Sequence, residues 1–380
     1  MIPAPARLAL LGGGQLGRFF TSAAQELGYQ VTVLDPDPHS PAGRIADEHL
    51  CTGYDDEQAL KQLAASCAAA TMEFENVPAA VLARLSHHMP VRPSAQVVGI
   101  VQDRISEKTF LRDNGFPVAP FIVVRNEGDL DKIEDTVYPA LLKVGRFGYD
   151  GKGQAKVAGY DDALRAFRNF HGEPCVLEKL MPLDLEVSVI MARGACGETR
   201  CFPVTENRHR HGILDISIAP ATIAEALRHQ AETIAARLAE QLAYTGVLAV
   251  EFFVCGNTLL VNELAPRPHN SGHYTLDACI THQFEQQVRA LCGLPLASAA
   301  QHSNAVMVNL LGDLWFTRPS EIREPDWQQL LRIPNVKLHL YGKQQPRPGR
   351  KMGHFTIVDS DPAHALETAL AARQAIGIVD

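Results

Sequence analysis

Between residues 223 and 242 apolar side chains fall at Ile223, Leu227, Ala231, Ile234, Leu238 and Leu242. Steps of three and four put them on one stripe of a helix of about five turns. Elsewhere the period changes often. Arg7 to Leu11 is a short apolar run that reads as a buried strand, and Gly12-Gly13-Gly14-Gln15-Leu16-Gly17 follows it. A helix to about Gly28 and a second strand at Val31–Leu34, ending at Asp35, complete a βαβ unit with glycines at the G-x-G-x-x-G positions. Helices and short strands alternate to about residue 95, where Pro90 and Pro93 mark a boundary.

Gln102 to Asn114 reads as a helix, ended by Gly115 and Pro117. Strands are predicted at Ala140–Val144, near 154–158 and at Cys175–Lys179, with a helix from an Asp161-Asp162 cap to about residue 170. Leu185 to Met191 alternates polar and apolar, as a half-buried strand does. A helix is expected over roughly 276–292, stopped by Gly293 and Pro295. The last section offers strands at Val306–Leu311 and near 336–341 and 354–358, then a helix near 361–376.

The most informative pair of strands reads Leu248–Val254 and Leu259–Glu263, with Cys255-Gly256-Asn257-Thr258 turning between them. Gly-Asn between β-rich runs is a hairpin signal. Each run is almost wholly apolar apart from its carboxylate, and a buried carboxylate is costly unless paired or holding a metal. A three-residue loop from Gly256 to Thr258 sets Glu251 opposite Glu263 on one face. A two-residue loop sends the two to opposite faces. Facing carboxylates beside Asn262 make an all-oxygen site suited to Mg²⁺ on nucleotide phosphates. A cross-strand pair neutralised by Lys or Arg is the bland alternative.

Two loops invite an anion. The first glycine loop opens a helix whose free N–H groups can cradle phosphate. Its readings are a dinucleotide site, with Asp35 on the ribose, or a sharp turn that binds nothing. The second loop, Gly145 to Gln154, carries four glycines and two cations and describes a flap over phosphates. Lys143, inside an apolar strand just before it, needs an anion: a phosphate or an acid elsewhere in the core. Arg267 can fork onto a phosphate or an acidic substrate. His269 and His273 are spaced like a zinc pair on a helix, but Pro266, Pro268 and Gly272 argue against that helix. His209 and His211 read as loop donors. Lys343, Arg347, Arg350 and Lys351 form a basic, proline- and glycine-pinned loop, either an anion pocket or a solvated surface.

Composition limits the classes. The 380 residues allow two or three domains, and 46% hydrophobic with 21% charged residues is ordinary globular composition. A net charge of −8 argues against generic nucleic-acid or membrane-surface binding. The eight cysteines show no C-x-x-C pair, and most fall in apolar runs, so they read as reduced thiols of a cytoplasmic protein. Neither an apolar run of about 18 residues nor a signal peptide is found.

Together, GGGQLGR at 12–18, GYDGKGQ at 148–154, NELAPRPHNSGH at 262–273 and RPGRKMGH at 347–354 resemble the ATP-grasp superfamily. Within it the chain is similar to the 5-(carboxyamino)imidazole ribonucleotide synthases of purine biosynthesis. The resemblance implies an α/β and α+β chain in three parts. These are an N-terminal doubly wound, Rossmann-like domain (1–98), a two-lobed ATP-grasp fold (99–298, flap lobe about 118–180) and a small C-terminal α+β domain (299–380). It implies an ADP-forming ligase that carboxylates 5-aminoimidazole ribonucleotide with ATP, Mg²⁺ and bicarbonate, as a homodimer.

The resemblance also assigns residues. Gly14, Gln15 and Leu16 seat the ribonucleotide phosphate instead of NAD. ATP is touched by Arg104, Lys143, the flap residues Gly148, Tyr149, Asp150, Gly151, Lys152, Gly153 and Gln154, and His209, Asn262 and Glu263. The backbone of Glu178, Lys179, Leu180 and Met181 reads adenine, and Glu186 takes the ribose hydroxyls. Glu251 and Glu263 hold the metal. Glu73, Arg267, Asn270, Ser271, Lys343 and Arg350 face the substrate, with Tyr149, Asp150, Arg267 and Lys343 catalytic. Two other readings stay open: formate-dependent glycinamide ribonucleotide transformylase and, from another class, an NAD-dependent oxidoreductase.

Overall fold

The computed structural model describes residues 1–146, 153–318 and 321–378. The predicted flap residues Gly148, Tyr149, Asp150, Gly151 and Lys152 lie outside the described residues.

The N-terminal part alternates β1 (Arg7–Leu11), α1 (Gln15–Glu26), β2 (Gln30–Leu34), β3 (Glu48–Leu50), α2 (Glu57–Ser66) and β4 (Ala69–Met72). The four strands pair in parallel in the order β3-β2-β1-β4. Strand β1 is apolar throughout because both faces are covered. Leu8 and Leu10 pack with α1, while Ala9 and Leu11 pack with Leu60, Leu63 and Val81 on the other side. The chain runs outward from β1 to β3 and returns to the opposite side of β1 as β4. The carboxyl ends of β1 and β4 therefore flank a topological switch point, where such sheets bind ligands. Helices α3 (Ala79–Ser86) and α4 (Ala95–Val101) lead to α5 (Arg104–Asp113). The expected helix from Gln102 begins two residues later, because the Asp103 side chain caps it by accepting the Ser106 N–H.

A small lobe follows: β5 (Phe121–Val124), α6 (Glu127–Leu130), β6 (Ala140–Val144), β7 (Gln154–Val157), α7 (Tyr160–Asn169) and β8 (Cys175–Lys179). Its antiparallel sheet runs β5-β8-β6-β7. Gly159, not Asp161 or Asp162, is the N-cap of α7. The two aspartates sit in its first turn, where the helix dipole favours them.

The body is a nine-stranded sheet, β14-β13-β9-β11-β12-β15-β19-β18, with β10 beside β9. It is built from β9 (Leu185–Arg193), β10 (Thr199–Cys201), β11 (Thr205–Arg210), β12 (Ile213–Ala219), α8 (Glu225–Gln241), β13 (Gly246–Cys255) and β14 (Thr258–Ala265). Then come α9 (Thr275–Ala278), α10 (Gln283–Cys292), β15 (Asn304–Leu311), a ribbon of β16 (Phe316–Arg318) and β17 (Glu321–Ile322), α11 (Trp327–Leu331), β18 (Val336–Leu340), β19 (Lys351–Asp359) and α12 (Pro362–Ala375). Period-two alternation sorts the sheet into two faces. Val187, Val189, Leu248, Val250 and Phe252 pack under the Ala231, Ile234 and Leu238 stripe of α8. Ile216, Val308, Phe355 and Ile357 pack under α12. The opposite parity is mixed: Glu186, Ser188, Glu251 and Ser217 are polar, while Ile190, Ala192, Val247 and Ala249 pack with Tyr274, Ala278 and Ala290.

Two expectations change here. Strand β9 is buried continuously from Val187 to Ala192 and not on one side only, because it is central and both its faces are covered. The expected helix over 276–292 is two helices. Cys279 leaves α9 in an extended conformation, and His282 starts α10 by accepting the Glu285 N–H on Nδ1. Gly293, at φ 68°, ends α10 as expected.

Candidate active site

The acidic hairpin reaches its facing carboxylates by a different route from the one its spacing predicts. Its turn has two residues, Gly256 and Asn257, with Cys255 paired to Thr258. Gly256, at φ 60°, supplies the first-position glycine that a type II′ turn requires. That register holds to Phe252↔Val261, then shifts, and Glu251 pairs with Glu263. Asn262 is the extra residue of a β-bulge, which undoes the slip of the shorter turn. Burial and the Glu263 charge push Glu251 up to about 8. Asn262 Oδ1 is buried with no hydrogen-bond partner among the described residues. Two carboxylates that repel each other beside an orphaned amide oxygen fit a hard divalent cation such as Mg²⁺.

Around them lies an ionic cluster. Arg104 Nη2 is 3.6 Å from Glu263, and the Arg104 backbone N–H donates to Gly145 O at the base of the glycine loop. Glu178 is buried between two lysines, with Lys108 Nζ at 3.0 Å and Lys143 Nζ at 2.8 Å. Burial alone would raise Glu178, but Lys108 and Lys143 lower it to about 2. The anion that the buried Lys143 needs is thus Glu178 in this structure. Burial raises Glu107 to about 7, and its carboxylate accepts the Leu264 N–H. Glu186 lies 3.1 Å from His209, and this bond raises the imidazole despite burial. The backbone N–H groups of Lys179 and Leu180 donate to Pro120 and Pro139 carbonyls. These two donors are thus engaged within the small lobe. Gly153, at φ 68°, accepts the Val144 N–H, and Gln154 lies opposite Lys143.

The second half of the site sits at the switch point. Glu73, just beyond β4, accepts the Gly14 N–H at 2.8 Å and the Gly17 N–H at 3.1 Å. Asp35 accepts the Gly13 N–H and the Tyr54 hydroxyl. The glycine loop is therefore occupied by the protein's own carboxylates, which contradicts a dinucleotide pyrophosphate there with Asp35 on a ribose. Of the three predicted phosphate-seating residues, Gly14 has committed its N–H, while Gln15 and Leu16 offer first-turn N–H groups. A Cβ at position 14 would lie 2.7 Å from Glu73 Oε1, so a side chain there has to displace the Glu73 carboxylate.

The basic C-terminal loop reaches this pocket. Arg44 donates to Gly342 O, and Lys343 lies close enough to Glu73 for each to shift the other's titration. Burial and Arg350 lower Lys343 to about 8, and its Nζ donates to Lys351 O. Arg350 donates to Gln345 O. Arg267 pairs with Glu75 at 2.8 Å, and burial raises Glu75. Asn270 is buried with both side-chain polar atoms unpartnered among the described residues, and Ser271 bonds Ser188 and His269. His269 Nε2 is 3.3 Å from Glu251.

Lys108, Glu107, Glu75 and His269 are site neighbours that the sequence reading missed. A signal existed for two of them. Arg104, Glu107, Lys108 and Leu111 recur at helical spacing on the buried side of α5, so charges occupy an apolar stripe.

Comparison with known proteins agrees with this layout. The ribonucleotide synthetase preATP-grasp domain matches residues 6–102, the ATP-grasp domain 109–284 and the phosphoribosylaminoimidazole carboxylase C-terminal domain 305–368. The N5-carboxyaminoimidazole ribonucleotide synthase of Brucella melitensis is 42% identical over 92% of this chain and 96% of its own. The chain belongs to the N5-carboxyaminoimidazole ribonucleotide synthase family. One synthase structure, from Staphylococcus aureus with ADP, superposes with TM-score 0.90 at 36% identity, covering 98% of each chain. Another synthase structure, from Aspergillus clavatus with ADP and 5-aminoimidazole ribonucleotide, gives 0.89 at 30% identity over 98% of this chain and 99% of that one.

Proposed function

We propose that the chain carboxylates 5-aminoimidazole ribonucleotide with ATP and bicarbonate to the N5-carboxyamino product, releasing ADP and phosphate. The observation that carries it is the meeting of two anion sites: the Glu251–Glu263 hairpin with its lysine-lined cleft, and the Glu73–Lys343 pocket. The first suits ATP, and the second suits a phosphorylated substrate whose amine can donate to a carboxylate. Bicarbonate attacks the γ-phosphate, and the carboxyphosphate, or the CO₂ it releases, carboxylates the exocyclic amine. Arg104 and Lys143 neutralise and position the nucleotide, which is most of what phosphoryl transfer asks of a protein. Glu251 and Glu263 would hold Mg²⁺, which when bound would supply further charge neutralisation at the phosphates. Lys343, Arg350 and the first turn of α1 hold the ribonucleotide phosphate. Arg267, held by Glu75, presents a cation to bicarbonate. Glu73 is placed to accept from the aminoimidazole. The flap, with Tyr149 and Asp150, excludes water from the labile intermediate.

The protein works as a homodimer in the cytoplasm. Eight cysteines that are all unpaired support the compartment, and the homodimer rests on the family resemblance alone. The deciding assay measures ADP release with each co-substrate omitted in turn, and with formate in place of bicarbonate. Full turnover needs aminoimidazole ribonucleotide and bicarbonate together. Turnover on formate, or ADP release indifferent to the ribonucleotide, overturns the reading. Sedimentation at micromolar concentration tests the dimer.

A further inference from the structure

Two histidines and an aspartate from three elements meet where the three parts of the chain join. His339 on β18 is paired directly opposite His354 on β19, so the two side chains share one face of the sheet. Their rings stack with centroids 4.6 Å apart. Asp277, on α9, places both carboxylate oxygens near His339 Nε2, at 2.9 and 3.1 Å. One ligand atom from each of Asp277, His339 and His354 lies within 4.8 Å of the other two. Phe19 of α1 packs edge-on against the His339 ring, with centroids 5.9 Å apart, and brings the N-terminal part to the cluster.

An aspartate–histidine pair alone needs no ion, but His354 is left unexplained by it. The His354 ring is fully buried, its Nδ1 is 2.9 Å from the Tyr341 hydroxyl, and its Nε2 has no hydrogen-bond partner among the described residues. A buried polar atom left bare is costly. Burial and the neighbouring His273 and His339 hold this imidazole well below its usual range, and a neutral imidazole is the form that binds a metal. His273 Nε2 is bare as well, but that ring stacks on His354 at 4.7 Å and stays outside the group of converging ligand atoms. A metal accounts for the bare His354 nitrogen. Tyr341 then accepts the Nδ1 proton and aims the Nε2 lone pair, the outer-shell bond usual for a ligating histidine. Ligand atoms of a four-coordinate zinc lie about 3.3 Å apart, given bonds of about 2.0–2.1 Å. Asp277 and His339 already meet that spacing, and His339, with 25% of its side chain exposed, has room to swing toward His354.

We propose that Asp277, His339 and His354 bind one Zn²⁺ ion, with water as the fourth ligand, and that the ion ties β18 and β19 to α9. Two imidazoles and a carboxylate suit zinc, whereas the all-oxygen hairpin suits Mg²⁺. The proton now between Asp277 and His339 Nε2 moves to His339 Nδ1 as the ion takes its place. His339 lies four residues before Lys343, and His354 four residues after Arg350. The ion therefore braces both feet of the basic loop. Binding does not rest on the carboxylation proposed above.

The test titrates Co²⁺, a coloured stand-in for Zn²⁺, into the full chain after treatment with a chelator, in millimolar Mg²⁺ to occupy the acidic hairpin. One equivalent should produce the visible absorption of four-coordinate Co²⁺, and one equivalent of Zn²⁺ should abolish it. His339→Ala and Asp277→Asn, neither at a fully buried side chain, should weaken Zn²⁺ at least a hundredfold in competition with a chelating dye. Tyr341→Phe keeps all three ligands but frees the His354 ring, and should weaken Zn²⁺ about tenfold. Glu251→Gln should bind as the unsubstituted protein does. Absence of stoichiometric Co²⁺ and Zn²⁺ uptake by the unsubstituted protein overturns the site. So does undiminished Zn²⁺ affinity in His339→Ala or Asp277→Asn, or loss of the cobalt absorption in Glu251→Gln. Should a ligand variant fail to fold, nuclear magnetic resonance of the unsubstituted protein decides. Paramagnetic Co²⁺ at one equivalent should broaden the backbone amides of 338–340 and 353–355 first, and broadening centred elsewhere overturns the site.

Discussion

At the residue scale, the site depends on charges placed where water is scarce. Glu251→Gln and Glu263→Gln each remove a charge but little volume. Each should lower ATP turnover at least a hundredfold, the loss of several kcal/mol expected for a metal ligand, while the melting temperature holds. Near-normal turnover at saturating Mg²⁺ in both variants would remove the metal from the hairpin. Lys343 makes a separate forecast. Its ammonium, lowered to about 8 from the usual 10.5, is charged below that pH and loses its charge above it. The kcat/KM for ribonucleotide should therefore decline as pH rises through about 8, and Lys343→Arg should move that limb upward. Lys343→Ala should raise the ribonucleotide KM about tenfold to a hundredfold, the scale of a charge-assisted contact, and leave the KM for ATP nearly unchanged. A flat profile, with an unchanged KM in the alanine variant, would take the C-terminal loop out of the site. Gly14→Val should act on the same KM, because its side chain collides with the Glu73 carboxylate.

At the scale of elements, α5 and the small lobe are pinned by a buried ionic cluster. Lys108 on α5 and Lys143 on β6 share Glu178 on β8. Replacing Lys108 by Met leaves Glu178 with one partner, and breaking such a pair costs about 3 kcal/mol. The pH signature has a definite sign. Glu178 titrates near 2 in the folded protein against an ordinary 4.5, so its stabilisation is complete above 4.5 and fades as pH falls toward 2. Denaturant titrations between those values should show a stability slope that flattens in Lys108→Met. An equal slope in both proteins would assign the acid sensitivity elsewhere. The turn of the acidic hairpin is a milder case. Gly256→Ala places a side chain at φ 60° and should cost about 1 kcal/mol, with kinetics unaffected, since the bulge at Asn262 and not the turn sets Glu251 against Glu263.

At the scale of the whole molecule, the N-terminal unit is welded to the body. Leu8, Phe20 and Val31 share one apolar cluster with Phe284, Val288 and Leu291 of α10, and Arg92 donates to the Ala290 and Leu291 carbonyls at the end of that helix. Phe284→Ala opens a cavity in this joint and should cost about 3–4 kcal/mol. Because the proposed ribonucleotide pocket draws on both sides of the joint, the variant should also raise the ribonucleotide KM. Calorimetry should show one transition shifted downward. Two separated transitions with an unchanged KM would mean that the pocket does not depend on the joint.

Local chemistry made much of this legible in advance. The βαβ opening, the stripe of α8 and the strand that carries Lys143 are written in periods of two and 3.6, which neighbouring residues enforce on each other. The facing carboxylates were foreseeable because a hairpin pairs residues only a dozen apart, although the means, a short turn corrected by a bulge, was not. Long-range closure decided the rest. Nothing near Gly14 shows that Glu73 fills its N–H cradle. Nothing near Lys143 names Glu178 as its anion, and nothing near Glu73 brings Lys343 beside it. Those partners lie 35 to 270 residues apart and meet only where a switch point, a sheet face and a basic loop converge. The sequence determined which charges would be buried, because an apolar strand or stripe must carry them inside. Only the tertiary structure decided which opposite charge meets each one, because burial fixes the need for a partner and the packing of distant elements chooses it.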